Sequence, residues 1–172
     1  MNNGRFNFLH APLMWFADDT FIVLADMTYT AVNGDVIRVP VLPRVRSDGK
    51  LVRLGFLSDG GSKPMWANAI PHVGDRCDEL MLAYVQHDAL YTLQTIERSG
   101  VVVSIDRAYA DAMLREISLY IGGDPTKVAA LVDAVQWFGA EYWRSTPVDP
   151  AAVMPEATTE DFAVCPYILT PA

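Results

Sequence analysis

The spacing of apolar residues changes once along this chain, and the change limits the folds open to it. After the β-branched run Phe21-Ile22-Val23-Leu24-Ala25, apolar side chains recur at every second position, Met27, Tyr29 and Ala31. From Leu80 onward they recur at every third or fourth: Leu80, Tyr84, His87 and Tyr91 share one helical face. A period of two belongs to half-buried strands and a period near 3.6 to amphipathic helices. Strands followed by helices predict an α+β fold: a small antiparallel β-sheet from the N-terminal half packed against a three-helix unit from the C-terminal half, with an extended C-terminal tail. At 172 residues, 51% of them hydrophobic, the chain is long and apolar enough for one domain with a full core. The expected boundaries are a single domain over residues 1–145 and a Pro-rich tail over 146–172 that docks on the domain or on a partner.

Turn chemistry divides these halves into elements. Residues 1–19, with Pro12 and Asp18-Asp19, read as an irregular arm lying on the core. Asn33-Gly34-Asp35 is a strong hairpin signal, and its return strand is Val36-Ile37-Arg38-Val39, ended by Pro40. Ser47-Asp48-Gly49-Lys50 separates two further strands, giving three to four in all. A first helix is expected over about residues 79–96, capped by Asp78 and closed by Gly100. A second opens at Ser104 or Asp106 and ends near Tyr120 before Gly122-Gly123. A third has Asp124 as its cap and Pro125 in its first turn, with Val128, Leu131, Val135, Phe138 and Tyr142 as its buried stripe.

Charge and composition narrow the function classes. A formal net charge of -8 argues against a protein whose main work is gripping phosphate backbones, so no nucleic-acid partner is expected. No apolar run approaches a membrane span, and Met1-Asn2-Asn3-Gly4-Arg5-Phe6 has no signal-peptide pattern. Cys77 and Cys165 are far apart and outside metal-type spacing, so they read as reduced thiols of a cytoplasm-like compartment.

Three stretches carry candidate chemistry. His87-Asp88 lies within the apolar pattern of the first helix, where an unpaired charge would cost several kcal/mol. It is either an acid/base or metal-ligand pair, or a structural pair satisfied by a carbonyl and a neighbouring Arg. Imidazole with carboxylate suits a divalent ion such as zinc or manganese, and the expected metal ligands are His87, Asp88 and Asp111. Arg107, Asp111 and Arg115, four residues apart, read as surface ion pairs, unless the small neighbours Ala108, Ala110 and Ala112 let two helices close up and bring Asp111 or Arg107 near His87. Before the helices, Ser58-Asp59-Gly60-Gly61-Ser62-Lys63-Pro64 forms a tight turn: Asp59 is a candidate ligand, Ser62 a donor or weak nucleophile, and the glycine amides an anion nest, against the plainer reading of an Asx turn. The candidate catalytic set is thus His87, Asp88, Asp59, Ser62 and Arg107. Tyr84, Tyr91, Trp137 and Trp143 read as core and core edge, and Glu97, Arg98 and Glu141 as solvated helix positions. His10 and His72 are loop residues, solvated or a third ligand. P-loop, dinucleotide and HExxH patterns do not occur.

Taken in order, Phe56-Leu57-Ser58-Asp59-Gly60-Gly61-Ser62-Lys63-Pro64, His87-Asp88-Ala89-Leu90-Tyr91 and Arg107-Ala108-Tyr109-Ala110-Asp111, with the weaker Val135-Gln136-Trp137-Phe138-Gly139 and Trp143, resemble the phage and prophage family called domain of unknown function thirteen fifty-three. Its usual pattern is Phe-x-Thr-Asp-Gly-Ala-Ser-x-Pro, His-Asp-x-Leu-Tyr, then Arg and Ala-Asp on the next helix; here Ser58 and Gly61 replace Thr and Ala. The resemblance covers about residues 20–143 and carries over Asp59, Ser62, Pro64, His87, Asp88, Tyr91, Arg107 and Asp111. It implies a phage-encoded protein kept with virion-assembly, tail or lysis genes, in the host cytoplasm during infection or on the virion, with phage structural proteins or a host protein as partners. It leaves the chemistry open. The residues themselves point to a metal-assisted hydrolase of a peptidoglycan link or a phosphoester, with Arg107 neutralising a substrate oxygen or orienting a carboxylate. The rival class is a non-enzymatic phage protein in which they form a buried polar network.

Overall fold

The computed structural model describes residues 5–7, 13–17, 20–23, 26–39, 43–45, 51–53, 56–58 and 80–143. In chain order the strands β1 (Arg5–Phe6), β2 (Leu13–Ala17), β3 (Thr20–Val23), β4 (Met27–Thr30), β5 (Val36–Val39), β6 (Pro43–Val45), β7 (Leu51–Arg53) and β8 (Phe56–Ser58) precede α1 (Met81–Leu93). Strands β9 (Thr95–Arg98) and β10 (Val101–Ser104) follow, then α2 (Arg107–Tyr120) and α3 (Pro125–Phe138), which runs into a 3-10 turn at Gly139–Glu141. The fold is α+β, antiparallel strands then helices, as the change of period predicts.

The alternating segment forms the β4–β5 hairpin, in register Tyr29↔Ile37 and Thr30↔Val36. Met27, Tyr29, Ile37 and Val39 are buried while Arg38 turns outward, so one face is core and the other wet. Gly34 takes the positive φ of +89° that the turn requires, and Asn33 Oδ1 accepts from the Asp35 amide.

Two expectations are corrected. Residues 1–19 are not wholly irregular: β1 pairs with β4, and β2 pairs with β3. The first helix does not reach residue 96. It stops where Gln94 turns left-handed (φ 53°) and its amide donates to the Leu90 carbonyl, and the chain re-enters a sheet as the β9–β10 hairpin. Gly100 is therefore no helix cap. With Ser99 it makes the two-residue turn between β9 and β10, both at positive φ (52° and 79°), as a primed hairpin turn demands. Because β5 meets β9 at Val36↔Glu97, the N-terminal sheet is extended by strands from between the helices, in order β1-β4-β5-β9-β10. Strands β2-β3-β8 make a second sheet and β6-β7 a third ladder.

The later helices begin where the caps place them. The Asp106 carboxylate accepts from the Tyr109 amide, and that of Asp124 from those of Thr126 and Lys127, with Pro125 in the first turn. Ala83, Tyr84 and Leu90 of α1 pack with Ala110, Leu114 and Ile117 of α2, Val128 and Leu131 of α3 and Tyr29 and Ile37 of the sheet. A second cluster joins Val85 and Ala89 to Val23, Met27, Val39 and Phe56. Helix α1 is thus walled by strands on one side and by α2 on the other, which exposes its motif residues to two neighbours. The predicted stripe of α3 holds at Val128 and Leu131, but Val132 joins it, and Phe138 and Tyr142 are exposed because the core ends before them. No helix among the described residues is long and apolar enough to cross a membrane.

Candidate polar site between the first two helices

Helix α2 approaches α1 closely because Ala110 is fully buried where they meet. One position later on α2, the Asp111 carboxylate enters that contact at 1% exposure. A buried carboxylate needs donors, and it has them. Tyr91 donates its hydroxyl to Asp111 Oδ1 at 2.6 Å. His87 Nε2 lies 3.2 Å from the same oxygen, and Arg107 Nη1 3.8 Å from Oδ2. A carboxylate has no proton to give, so the His87 contact is a hydrogen bond when Nε2 carries the hydrogen, which leaves Nδ1 as the basic nitrogen of a neutral ring. The ring of His87, whose side chain is 11% exposed, also rests 4.2 Å centroid to centroid from the Tyr91 ring. Burial and the adjoining Asp111 carboxylate raise the Tyr91 phenol well above its ordinary range, so it remains a donor.

Adjacent helical residues point about 100° apart, and His87 and Asp88 use that angle to reach different elements. His87 meets Asp111 on α2, whereas Asp88 accepts a hydrogen bond from Ser58, a buried residue on β8. The structure therefore brings together His87, Tyr91, Asp111 and Arg107 as one group and Ser58 with Asp88 as another. Asp59, Ser62 and Pro64 lie outside the described residues, as do His10, His72, Cys77, Cys165, Asp78 and the tail over 146–172. The expected Asp78 cap is corrected, since α1 begins at Met81 after Leu80, which makes no side-chain cap. Among the described residues no three His, Cys, Asp or Glu side chains stand together as a metal-holding group.

The weaker fourth motif also arrives here. Arg107 Nη1 donates to the Gln136 carbonyl at 3.1 Å, tying the start of α2 to the end of α3. Trp143 packs edge-on against Tyr91 with centroids 5.1 Å apart. Trp137, expected in the core, is 76% exposed, because α3 turns its Val128–Leu131 face inward and this residue outward.

A second polar cluster gave no local signal. Asp35, 2% exposed, accepts from Arg98 Nε and Nη2, both at 2.8 Å, and from the Tyr109 hydroxyl at 2.6 Å. The Arg98 guanidinium above all holds the Asp35 carboxyl down at about 2, and burial beside that carboxylate pushes the Tyr109 phenol up to about 12. Glu97 and Arg98, expected on a solvated helix face, are strand residues: Glu97 pairs with Arg38 at 3.2 Å and Arg98 locks the β4–β5 turn.

No family model matches the chain, and no curated protein or solved structure matches it.

Proposed function

We propose that this is a phage-encoded hydrolase in which His87, oriented by Asp111, moves the proton during attack by water. The observation that carries the reading is the buried carboxylate held on one nitrogen of an imidazole whose other nitrogen is then basic. Asp111 would fix the tautomer and stabilise the imidazolium that forms, while Arg107, its side chain 31% exposed, would neutralise charge on a substrate oxygen. The phage assignment rests on the resemblance alone. The substrate is a peptidoglycan link or a phosphoester. In a metal-assisted version, zinc or manganese would supply a nucleophilic water. Asp111 already faces three donors and Asp88 accepts from Ser58, so among the described residues the second nitrogen of His87 would serve the ion.

Purified cell-wall sacculi and a chromogenic phosphodiester, assayed with wild type and His87→Ala, test the reading. Turnover of one substrate that falls ~10²–10⁴-fold in the variant is expected, the range that loss of a general base gives. Activity equal in both proteins would refute the assignment. Dialysis against a chelator should leave turnover unchanged if the dyad acts alone; loss restored by zinc or manganese would favour the metal-assisted version.

A second reading is favoured by the burial of Asp111. A carboxylate at 1% exposure, facing three donors, also suits a structural network in a non-enzymatic virion or host-binding protein. That reading predicts no turnover and a loss of ~1–3 kcal/mol in His87→Ala, because the buried Asp111 carboxylate loses one of its three donors.

A further inference from the structure

Helix α3 gives no side chain to the His87–Asp111 pair, yet its end is fitted to Tyr91. Gly139 has φ -70° and ψ -10°, angles open to any residue, so glycine is not required there for backbone freedom. It is required for space: a Cβ on Gly139 would stand 2.6 Å from the Tyr91 hydroxyl oxygen. The next atoms, Tyr91 Cζ and Val135 Cγ1, are at 3.4 Å, so the conflict is with the hydroxyl alone. Trp143, just beyond the 3-10 turn, closes on the edge of the same ring.

We infer that Tyr91, seated by Gly139 and Trp143, is the positioning residue of the His87–Asp111 pair, and that the end of α3 thereby sets how the pair is held. Tyr91 touches both members: its hydroxyl donates to the oxygen that faces His87 Nε2, and its ring lies beside the imidazole. Arg107 stands 3.8 Å from the other carboxylate oxygen and also interacts with the Tyr91 hydroxyl. Without the Tyr91 hydroxyl, the carboxylate swings toward the guanidinium and away from Nε2. This inference rests on the dyad of the preceding section and adds the group that holds it.

The test is nitrogen-15 NMR of histidine-labelled full-length protein near neutral pH, with His87 assigned from His87→Gln. Wild type should show His87 fixed with its hydrogen on Nε2. Tyr91→Phe, which keeps the ring, should populate both tautomers, and Gly139→Ala should do the same by displacing the hydroxyl. The double variant should be no worse than Tyr91→Phe, because removing the hydroxyl makes room for the methyl. If Gly139→Ala does not fold, Tyr91→Phe alone decides. A His87 tautomer unchanged in Tyr91→Phe would overturn the positioning role, as would strictly additive defects in a folded double variant. Absence of a fixed tautomer in wild type would overturn the dyad as well. A protein with the expected tautomer pattern but no turnover would lose the hydrolase reading and keep this one.

Discussion

At the scale of single residues, long-range polar contacts decide the behaviour. Asp35 and Arg98 are 63 positions apart, and Asp35 and Tyr109 74 apart, so nothing in their neighbourhoods announces the cluster. Its consequence is a pH dependence with a definite sign. The Asp35 carboxyl is lowered from 3.8 to about 2, so its contribution is complete above its unfolded value and fades as pH falls from about 4 toward 2. The shift corresponds to ~2 kcal/mol at 1.36 kcal/mol per pH unit. With the Arg98 side chain 55% exposed, solvent screens the pair and ~1 kcal/mol is the expected share. Denaturant titrations of wild type and Asp35→Asn at pH 7 and pH 2.5 should differ by about that amount at pH 7 and by less at pH 2.5; a gap that widens in acid would contradict the linkage. Asp111, by contrast, was within reach of the sequence. The small residue Ala110 beside it allowed a close helix contact, and a carboxylate in such a contact has to meet donors. That His87 and Asp88 would part company was not legible, because it depends on which element lies on each side of α1.

At the scale of elements, caps and turns were legible and the end of α1 was not. Asp106, Asp124 and Pro125 carry their own geometry, and α2 and α3 begin where they stand. Helix α1 ends at Gln94 through a left-handed residue that is not glycine, so the stop left no mark. The strands beyond it did leave one. Thr95-Ile96 and Val101-Val102-Val103 are β-branched and flank Ser99-Gly100, a hairpin composition outweighed by the helical pattern before it. At Gly100, φ is +79° with open space where a side chain would go, so Gly100→Ala meets backbone strain without a clash. It should cost ~1–2 kcal/mol, the penalty of a left-handed conformation for an L-residue. An unchanged unfolding midpoint in that variant would show that the hairpin tolerates another turn.

At the scale of the whole molecule, the β9–β10 hairpin explains how sheet and site belong together. By joining the N-terminal sheet at Val36↔Glu97 it holds the α1–α2 connection against the strands, and α2 is left to lie along α1. A second tie runs from Glu116 of α2, which accepts from the Tyr29 hydroxyl and the Val32 amide, both at 2.9 Å. The class of fold followed from the change in hydrophobic period. The mixed origin of the sheet did not, since strand order depends on tertiary contacts that no local pattern encodes. Everything proposed for this protein, catalytic or structural, requires that His87 and Asp111 interact across the α1–α2 contact. A double-mutant cycle in denaturant unfolding, with His87→Ala, Asp111→Ala and the pair, measures that interaction directly. A coupling of ~1–3 kcal/mol is expected for a buried hydrogen-bonded pair, whereas losses that add to within ~0.5 kcal/mol would mean that the two side chains do not depend on one another.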